Sequence, residues 1–255
     1  MSSRLHNALL AGTAAIALAV SAAGLAASAG PAPVTGGPAG ADLCSTQASA
    51  ARSRATIATL RGFGDCEIAR RLTTLHQLAS VVGASKGLTS PDAGHLSSEI
   101  AGEVGDLTSL RGAIDAQTRI APLKIELVQI VTDYRVYLLV GPQVRLTIAA
   151  DSELALKPHF DQLATTLAGR IAVAAAKGKD VSAAQASLDA MNAAVAGAVA
   201  LATPVPAKLL ALTPANYGSA GGATVIKNAR IALVAARDHF KSAAQDGRSV
   251  LADLS

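Results

Sequence analysis

Aromatic side chains are scarce in this sequence. Among 255 residues there are three Tyr, three Phe and no Trp, so that aromatics make up 2% of the chain. A surface that binds nucleic acid by base stacking needs aromatic faces, and we therefore predict no nucleic-acid partner. The chain has only two cysteines, which excludes a small fold held together by many disulfides. Charged residues form 16% of the chain, less than in an ordinary domain, and the formal net charge is +4.

Charge is missing altogether from residues 8–29, near the start of the sequence. Arg4 precedes this stretch, residues 9–20 are mostly apolar, and small residues at 27–29 suit signal peptidase. The pattern predicts a secretory signal peptide over residues 1–29, cleaved after Ala29, and hence a secreted or envelope-associated protein. The alternative is an N-terminal membrane anchor, since about 20 uncharged residues can span a bilayer. Residues 30–42 are rich in Pro and Gly and predict a flexible linker before one domain over 43–255.

Export would place Cys44 and Cys66 in a compartment that permits disulfides. One straight helix between them would separate their Cα atoms by roughly 33 Å, whereas a disulfide needs less than about 7 Å. A break at Gly62-Phe63-Gly64 would still leave a long rod for the chain to retrace. We therefore favour free thiols or a bridge between two chains over a bridge within one chain.

Most of the chain after residue 43 has the apolar spacing of helices. Ser90-Pro91-Asp92 is typical of a helix start, with Ser90 as the N-cap. Two stripes repeat every seven residues and alternate large with small side chains. The first consists of Val181, Ala184, Leu188, Met191, Val195, Ala198 and Ala202, and the second of Ile226, Ala229, Leu233, Ala236, Phe240, Ala243, Gly247, Val250 and Leu254.

These stripes predict helices in close approach, within an all-α fold. We expect an elongated antiparallel helical bundle or coiled-coil hairpins, with two hairpin halves joined around residues 141–160. The same repeat is also compatible with self-association of two chains through the heptad faces. The segment 134–148 is an exception, because β-branched and aromatic residues alternate with polar ones. It predicts a short extended crossover as the alternative to helix, with the preceding helix ending by Gly141-Pro142 and Asp151 capping the helix that follows.

No residues have the arrangement of a known active site. The segment 83–87 matches the G-x-S-x-G pattern, but a predicted helix precedes it where a nucleophile elbow needs a strand. The segment 177–180 lacks the upstream glycine and the hydroxyl of a phosphate-binding loop, and neither the histidines nor the cysteines have metal-ligand spacing. Glu99, Glu103 and Asp106 share one helix side, where an exposed acidic face is favoured over a cation site. We predict a non-enzymatic protein with no catalytic residue, cofactor or metal.

Two sets of residues are candidates for binding. The first set concentrates positive charge on the first helix, as a solvated face or as a contact for an anionic envelope polymer: Arg52, Arg54, Arg61, Arg70 and Arg71. The second set includes two of the three tyrosines and forms either a packed corner or a small ligand-binding notch: Asp133, Tyr134, Arg135, Tyr137 and Asp151.

Three runs carry a resemblance to known proteins. The runs GDCEIARRL at 64–72, IVTDYRVY at 130–137 and AAD at 149–151 resemble those of uncharacterised secreted, alanine-rich, all-helical proteins of Gram-positive bacteria. The resemblance covers most of the mature chain and implies an exported helical bundle. It implies no activity, cofactor or catalytic residue.

Together these observations predict a secreted, non-enzymatic helical protein that is structural or adaptor-like. The alternative is a binding module for an anionic envelope ligand or a small molecule, which would use the basic first helix or the tyrosine patch.

Overall fold

The computed structural model describes residues 44–255, which form helices and short connections. The elements in chain order are α1 Ser45–Ser53, α2 Ile57–Ala84, α3 Ser90–Ala116, α4 Ile120–Thr132, a π-helical turn Val136–Val140, α5 Gly141–Leu154, α6 Lys157–Ala176, α7 Ser182–Ala202, α8 Pro204–Leu210 and α9 Gly222–Asp253. No strand occurs in this part of the chain, so the predicted all-α class is confirmed. The predicted signal peptide over 1–29 and the linker over 30–42 lie outside the described residues.

The helices enclose two clusters of buried apolar side chains. The N-terminal core is built from α2, α3, α4 and one side of the π-helical turn and α5, and includes Ile68, Leu75, Leu96, Leu107, Ile114, Ile130 and Val144. The C-terminal core is built from α6, α7, α8, α9 and the other side of the turn and α5, and includes Leu139, Leu167, Leu188, Met191, Leu209, Leu233 and Phe240. Because α5 contributes to both cores, it is the element that joins them.

Helices α7 and α9 pack against each other in antiparallel directions. Ser187 donates a hydrogen bond to Asp253 over 3.0 Å, and a Cβ added at Gly247 would lie 3.1 Å from the sulfur of Met191. The buried residues of both helices are those of the two predicted stripes, with three exceptions. Val181 and Leu254, at the ends of the stripes, are only half-buried. Gly222 is buried but belongs to neither stripe. The stripes are therefore covered within one chain, and their faces are not available for self-association.

The structure corrects the expectation for the cysteines. Cys44 and Cys66 are joined by a disulfide within the chain, with their Cα atoms 5.8 Å apart. The chain reverses at Arg54–Thr56, where Arg54 and Thr56 adopt extended backbone conformations, and α1 then lies along α2. Thr56 begins α2 through a capping box, in which its hydroxyl accepts from the N–H of Thr59 and the hydroxyl of Thr59 accepts from the N–H of Thr56. The prediction of free thiols or an intermolecular bridge is wrong because it assumed one straight helix between the cysteines, or a break at the glycines, and did not consider a reversal at residues 54–56.

Gly64 has a packing role inside α2. A Cβ at this position would lie 2.7 Å from Leu127 Cδ2 and 3.3 Å from Ile114 Cδ1. The glycine therefore allows α4 to approach α2 closely, and it does not interrupt the helix.

The predicted extended crossover at 134–148 is also wrong. After Arg135 the chain is helical, first as the π-helical turn and then as α5, and Pro142 lies in the first turn of α5, where proline is tolerated. Val140, Val144 and Ile148 face the N-terminal core at a spacing of four, while Leu139 and Ala150 face the C-terminal core. A helix that is apolar towards two cores shows no single helical stripe, and its sequence therefore looked like a strand.

The predicted start of α3 is one residue late. Thr89 is the N-cap, because its hydroxyl accepts from the N–H of Asp92 over 3.4 Å, and Ser90 is the first helical residue.

One helical stretch of the described residues, Ser182–Leu210, is long and apolar enough to cross a membrane by length and composition. Its buried side chains belong to the C-terminal core, as those of a central helix in a helical bundle do.

Candidate functional site

The backbone is unusual between α4 and α5. Arg135 has φ 30° and ψ 32°, and it is the one non-glycine residue of the described chain with a positive φ. Residues with a side chain rarely adopt this conformation, and π-helical turns such as the one that follows are frequent near functional sites. Arg135 is held by a hydrogen bond from Nε to the carbonyl of Pro214 over 3.2 Å. Its guanidinium also lies over the ring of Tyr217, 5.1 Å from the ring centre.

Tyr137 contacts an arginine cluster on α2. The guanidinium carbons of Arg70 and Arg71 lie 5.1 Å and 5.3 Å from the centre of its ring. Glu67 accepts from both arginines, at 2.7 Å from Arg70 and 2.5 Å from Arg71. Arg71 is only 5% exposed, so its charge is balanced inside the fold by Glu67 and the aromatic ring.

Tyr134 contacts a different helix. Its hydroxyl donates to the carbonyl of Asp106 on α3 over 3.3 Å. Burial raises the pKa of Tyr134, and the negative charges of Asp106 and Asp133 raise it further. Asp133 itself is exposed and accepts from the hydroxyl of Thr132 over 2.7 Å. The two tyrosines of the predicted patch therefore do not line one notch.

Asp151 lies apart from the other members of the predicted patch. It is fourteen positions beyond Tyr137, which corresponds to about 20 Å along a helix. Its carboxylate accepts from the backbone N–H of Thr89 over 2.7 Å, and burial raises its pKa against the lowering effect of that bond. Asp151 thus provides a hydrogen-bond acceptor for the backbone N–H at the start of α3. The prediction that it caps the helix following it is wrong.

The remaining arginines of the basic set do not form one surface either. Arg61 donates to the carbonyls of Ile114, over 3.3 Å, and of Gln117, at the end of α3. Arg52 is exposed and donates to Ser49 over 3.3 Å, and Arg54 is exposed at the end of α1. The structure therefore brings together members of both predicted sets at Tyr137, but the arginines found there are engaged in internal contacts.

Two acidic side chains of α3 are half-buried. Burial raises the pKa of Glu99 to about 7. Burial and the charges of Glu99 and Asp106 raise the pKa of Glu103 to about 8. One carboxyl oxygen of each glutamate is inaccessible to solvent and has no hydrogen-bond partner in the structure. No group of three potential metal ligands occurs in residues 44–255.

These raised pKa values predict a pH-dependent stability. The folded state binds protons more tightly than the unfolded chain, so the benefit is complete below the unfolded pKa of 4.5 and is lost as the pH rises through 7 and 8. Replacing Glu99 and Glu103 with Gln should raise the free energy of unfolding at pH 9 by about 1–2 kcal/mol, allowing for solvent screening. At pH 4 the same double variant should gain far less.

Urea unfolding of both proteins across this pH range measures the difference. Asp115→Asn on the same helix is the matched control, because Asp115 is exposed. A gain for the glutamine variant that is equal at pH 4 and pH 9 would show that burial does not govern these carboxyls.

Helix α4 exposes large aliphatic side chains. Ile125, Val128 and Val131 are between 55% and 65% exposed, and Ile120 is 40% exposed. These four residues, which we call the aliphatic face, occupy one contiguous arc of the helix that also carries Lys124. The opposite side of α4 places Leu123 and Ile130 in the N-terminal core. Leu138, on the π-helical turn, is 53% exposed as well.

Sequence reasoning missed the aliphatic face, although a signal was present. Residues 120–132 contain a single pair of charged residues, and apolar residues fall on every side of the helix. A helix that is apolar all round is normally covered on all sides.

No family model, curated protein or solved structure matches this chain. The function is therefore inferred from the described residues themselves.

Proposed function

We propose that this protein is an exported, non-enzymatic helical adaptor of the cell envelope or extracellular space, and that it docks on a partner through the aliphatic face of α4. The observation that carries this proposal is the exposure of Ile125, Val128 and Val131 on a helix whose other side is already in the core. Contiguous exposed apolar surface commonly marks an interaction site. Covering these side chains would remove apolar area from water, which favours association.

The contacts of the arginines support the adaptor over an anion-binding module that uses the basic first-helix set. Arg61 and Arg71 are engaged with carbonyls, Glu67 and Tyr137, and Arg70 pairs with Glu67. Of the five arginines in the basic set, Arg52 and Arg54 are the two that are exposed. Two exposed charges at one end of α1 give only weak attraction to an anionic polymer, since salt screens them.

Two observations support export. The residue pattern of the first 29 positions is that of a signal peptide. The Cys44–Cys66 disulfide also suits an oxidising compartment, because such bonds are rare in the cytosol.

The contacts of the buried polar side chains of α5 support a non-enzymatic protein. Asp151 holds Thr89, Glu153 pairs with Arg237 over 3.2 Å, and Gln143 donates to the carbonyls of Leu209 and Leu212, each over 2.9 Å. Each of these side chains joins α5 to a neighbouring helix or connection. None of these contacts needs a substrate to explain it.

Site-specific photo-crosslinking in the native host tests the docking face. A photo-reactive amino acid in place of Val131 should give a discrete adduct, whereas the same amino acid in place of Val234 should not. The double variant Ile125→Asp/Val128→Asp should reduce the adduct from position 131 by about tenfold, as expected for the loss of two central apolar contacts.

The matched control is Ile231→Asp/Val234→Asp on α9. These side chains are 57% and 59% exposed and have the same types and spacing as Ile125 and Val128, but they belong to another helix. They should leave the adduct unchanged. Equal adducts from positions 131 and 234, or equal losses from both double variants, would contradict a docking role for α4.

A further inference from the structure

A groove lies where the C-terminal ends of α6 and α9 meet. It has a volume of about 330 Å³, and its walls include Arg170, Val173, Lys177, Lys179, Leu251 and Leu254. This volume is at the lower end of the range of ligand pockets. The groove shares no residue with the aliphatic face of α4, so a function here is independent of the docking role.

The end of α6 places the cationic side chains around the groove. Arg170, Val173 and Lys177 are three and four positions apart and lie on one face of the helix. The N–H of Lys179 then bonds the carbonyl of Ala174 over 3.2 Å, and that of Gly178 bonds Ala175 over 2.9 Å. This is a Schellman motif, and Gly178, with φ 77°, provides the left-handed residue that it requires. The turn brings Lys179 back towards α9, where its ammonium donates to the carbonyl of Leu254 over 3.1 Å.

The cations of the groove have no acidic side-chain partner. Among the ion pairs of residues 44–255, none includes Arg170, Lys177 or Lys179. The nearest acids in sequence are used elsewhere. Asp180 accepts from the N–H and the hydroxyl of Ser182, over 3.0 Å and 2.7 Å, and Asp253 accepts from Ser187 over 3.0 Å.

The rest of the groove is aliphatic. Val173 is 56% exposed, Leu251 and Leu254 are half-buried, and the hydroxyl of Ser255 donates to the carbonyl of Ala252 over 2.6 Å. Apart from their charge, these walls offer little that could recognise the edge of a sugar, a base or a peptide. They offer positive charge next to a hydrocarbon surface.

We propose that this groove binds a single-chain amphiphile with an anionic head, such as a medium- or long-chain carboxylate taken up as a monomer. The carboxylate is held by the ammonium and guanidinium groups, which are strong donors to such oxygens. The alkyl chain covers Val173, Leu251 and Leu254. Neither part is sufficient alone, because exposed charges are screened and the aliphatic surface is small.

Titration of the protein with decanoate, kept below the concentration at which it forms micelles, tests the proposal. Isothermal calorimetry should show binding of decanoate and at least about tenfold weaker binding of both decanol and acetate, since each lacks one of the two interactions. In methyl NMR spectra, decanoate should shift the signals of Val173, Leu251 and Leu254 and leave those of Val128 and Val131 in place.

Charge reversal supplies the matched pair of variants. Arg170→Glu/Lys177→Glu should weaken decanoate binding by about tenfold or more. Lys227→Glu/Arg230→Glu reverses two exposed cations elsewhere on α9 and should leave it unchanged. The NMR shifts of the unaltered protein give an answer even where a variant is poorly folded.

Three results would overturn the proposal. Equal binding of decanol would show that charge is not recognised, and equal binding of acetate would show that the aliphatic walls are not used. Binding to vesicles of anionic phospholipid without binding of monomeric decanoate would assign the groove to a membrane surface instead.

Discussion

Replacing Cys44 and Cys66 with alanine is expected to lower the free energy of unfolding by about 3 kcal/mol. The disulfide closes a loop with a sequence separation of 22 residues, and its removal lets the unfolded chain recover the entropy of that loop. For a protein of this size the corresponding fall in melting temperature is about 6–12 °C. Thermal unfolding followed by circular dichroism measures the change.

The same experiment with a reductant separates the bond from the substitution. Reductant should lower the melting temperature of the unaltered protein and should leave the alanine variant unaffected. We also expect α1 to become accessible to protease in the reduced protein, because this short helix has no buried residue of its own and Cys44 fixes its start. An unchanged melting temperature in reductant would contradict the stabilising role of the bond.

The region of the disulfide contains one feature that a local sequence pattern predicts and one that it does not. The chain reversal that permits it has a local signal, since Thr56 and Thr59 have the spacing of a capping box. The expectation failed because the segment between the cysteines was treated as one straight helix, with the glycines at 62 and 64 as the one break considered. Gly64 is required by a contact with Leu127, 63 positions later, and no local pattern reveals such a contact.

The C-terminal helices could be predicted because each faces mainly one core. In α9 the buried residues recur with one helical period from Ile226 to Val250, and the same is true of α7 from Ala184 to Ala202. The intervening residues are mostly exposed, and the contrast makes the period visible in the sequence. The sequence did not show which surface covers each stripe. The structure shows that it is another helix of the same chain.

Helix α5 could not be predicted in this way because it is buried on both sides. Its polar residues Gln143, Asp151 and Glu153 are also buried, and each bonds a group far away in the sequence. The prediction of the candidate site was incomplete for a related reason. Residue type alone did not show that Arg71 would be covered by Tyr137 while Ile125 and Val128 would be exposed.

The position of α5 has a consequence for cooperativity. Val140 and Val144 are buried in the N-terminal core, and Leu139 and Ala150 in the C-terminal core. Melting either core would leave one side of α5 without its packing partners. We therefore expect the two cores to unfold in a single transition. A substitution that destabilises one core should then lower the unfolding midpoint of both.

Phe240→Ala is the substitution expected to test that coupling most strongly. Phe240 is 1% exposed in the C-terminal core, and its ring stacks on that of Phe160 with the centres 5.5 Å apart. Its α9 stripe neighbours Ala236 and Ala243 are small, so they cannot fill the space that the ring leaves. The cavity should lower the free energy of unfolding by about 3–5 kcal/mol. Tyr217 packs against the C-terminal core, so the comparison is made in a Tyr217→Phe background, where the near-ultraviolet absorbance comes from Tyr134 and Tyr137 alone. Urea unfolding followed separately by this absorbance and by far-ultraviolet dichroism should then give coincident, equally shifted transitions.

Two variants serve as controls for that loss. Phe240→Leu keeps most of the volume and should cost less than about 1.5 kcal/mol, whereas Phe63→Ala removes a ring that is only half-buried in α2 and should cost less than Phe240→Ala. A Phe240→Ala protein whose tyrosine signal melts at the original urea concentration, while its helical signal is shifted, would show that the cores are independent. A single shifted transition would instead show that the loss of one ring in the C-terminal core also destabilises the α4 region. We expect α5 to couple the two, because α5 and α4 share the N-terminal core.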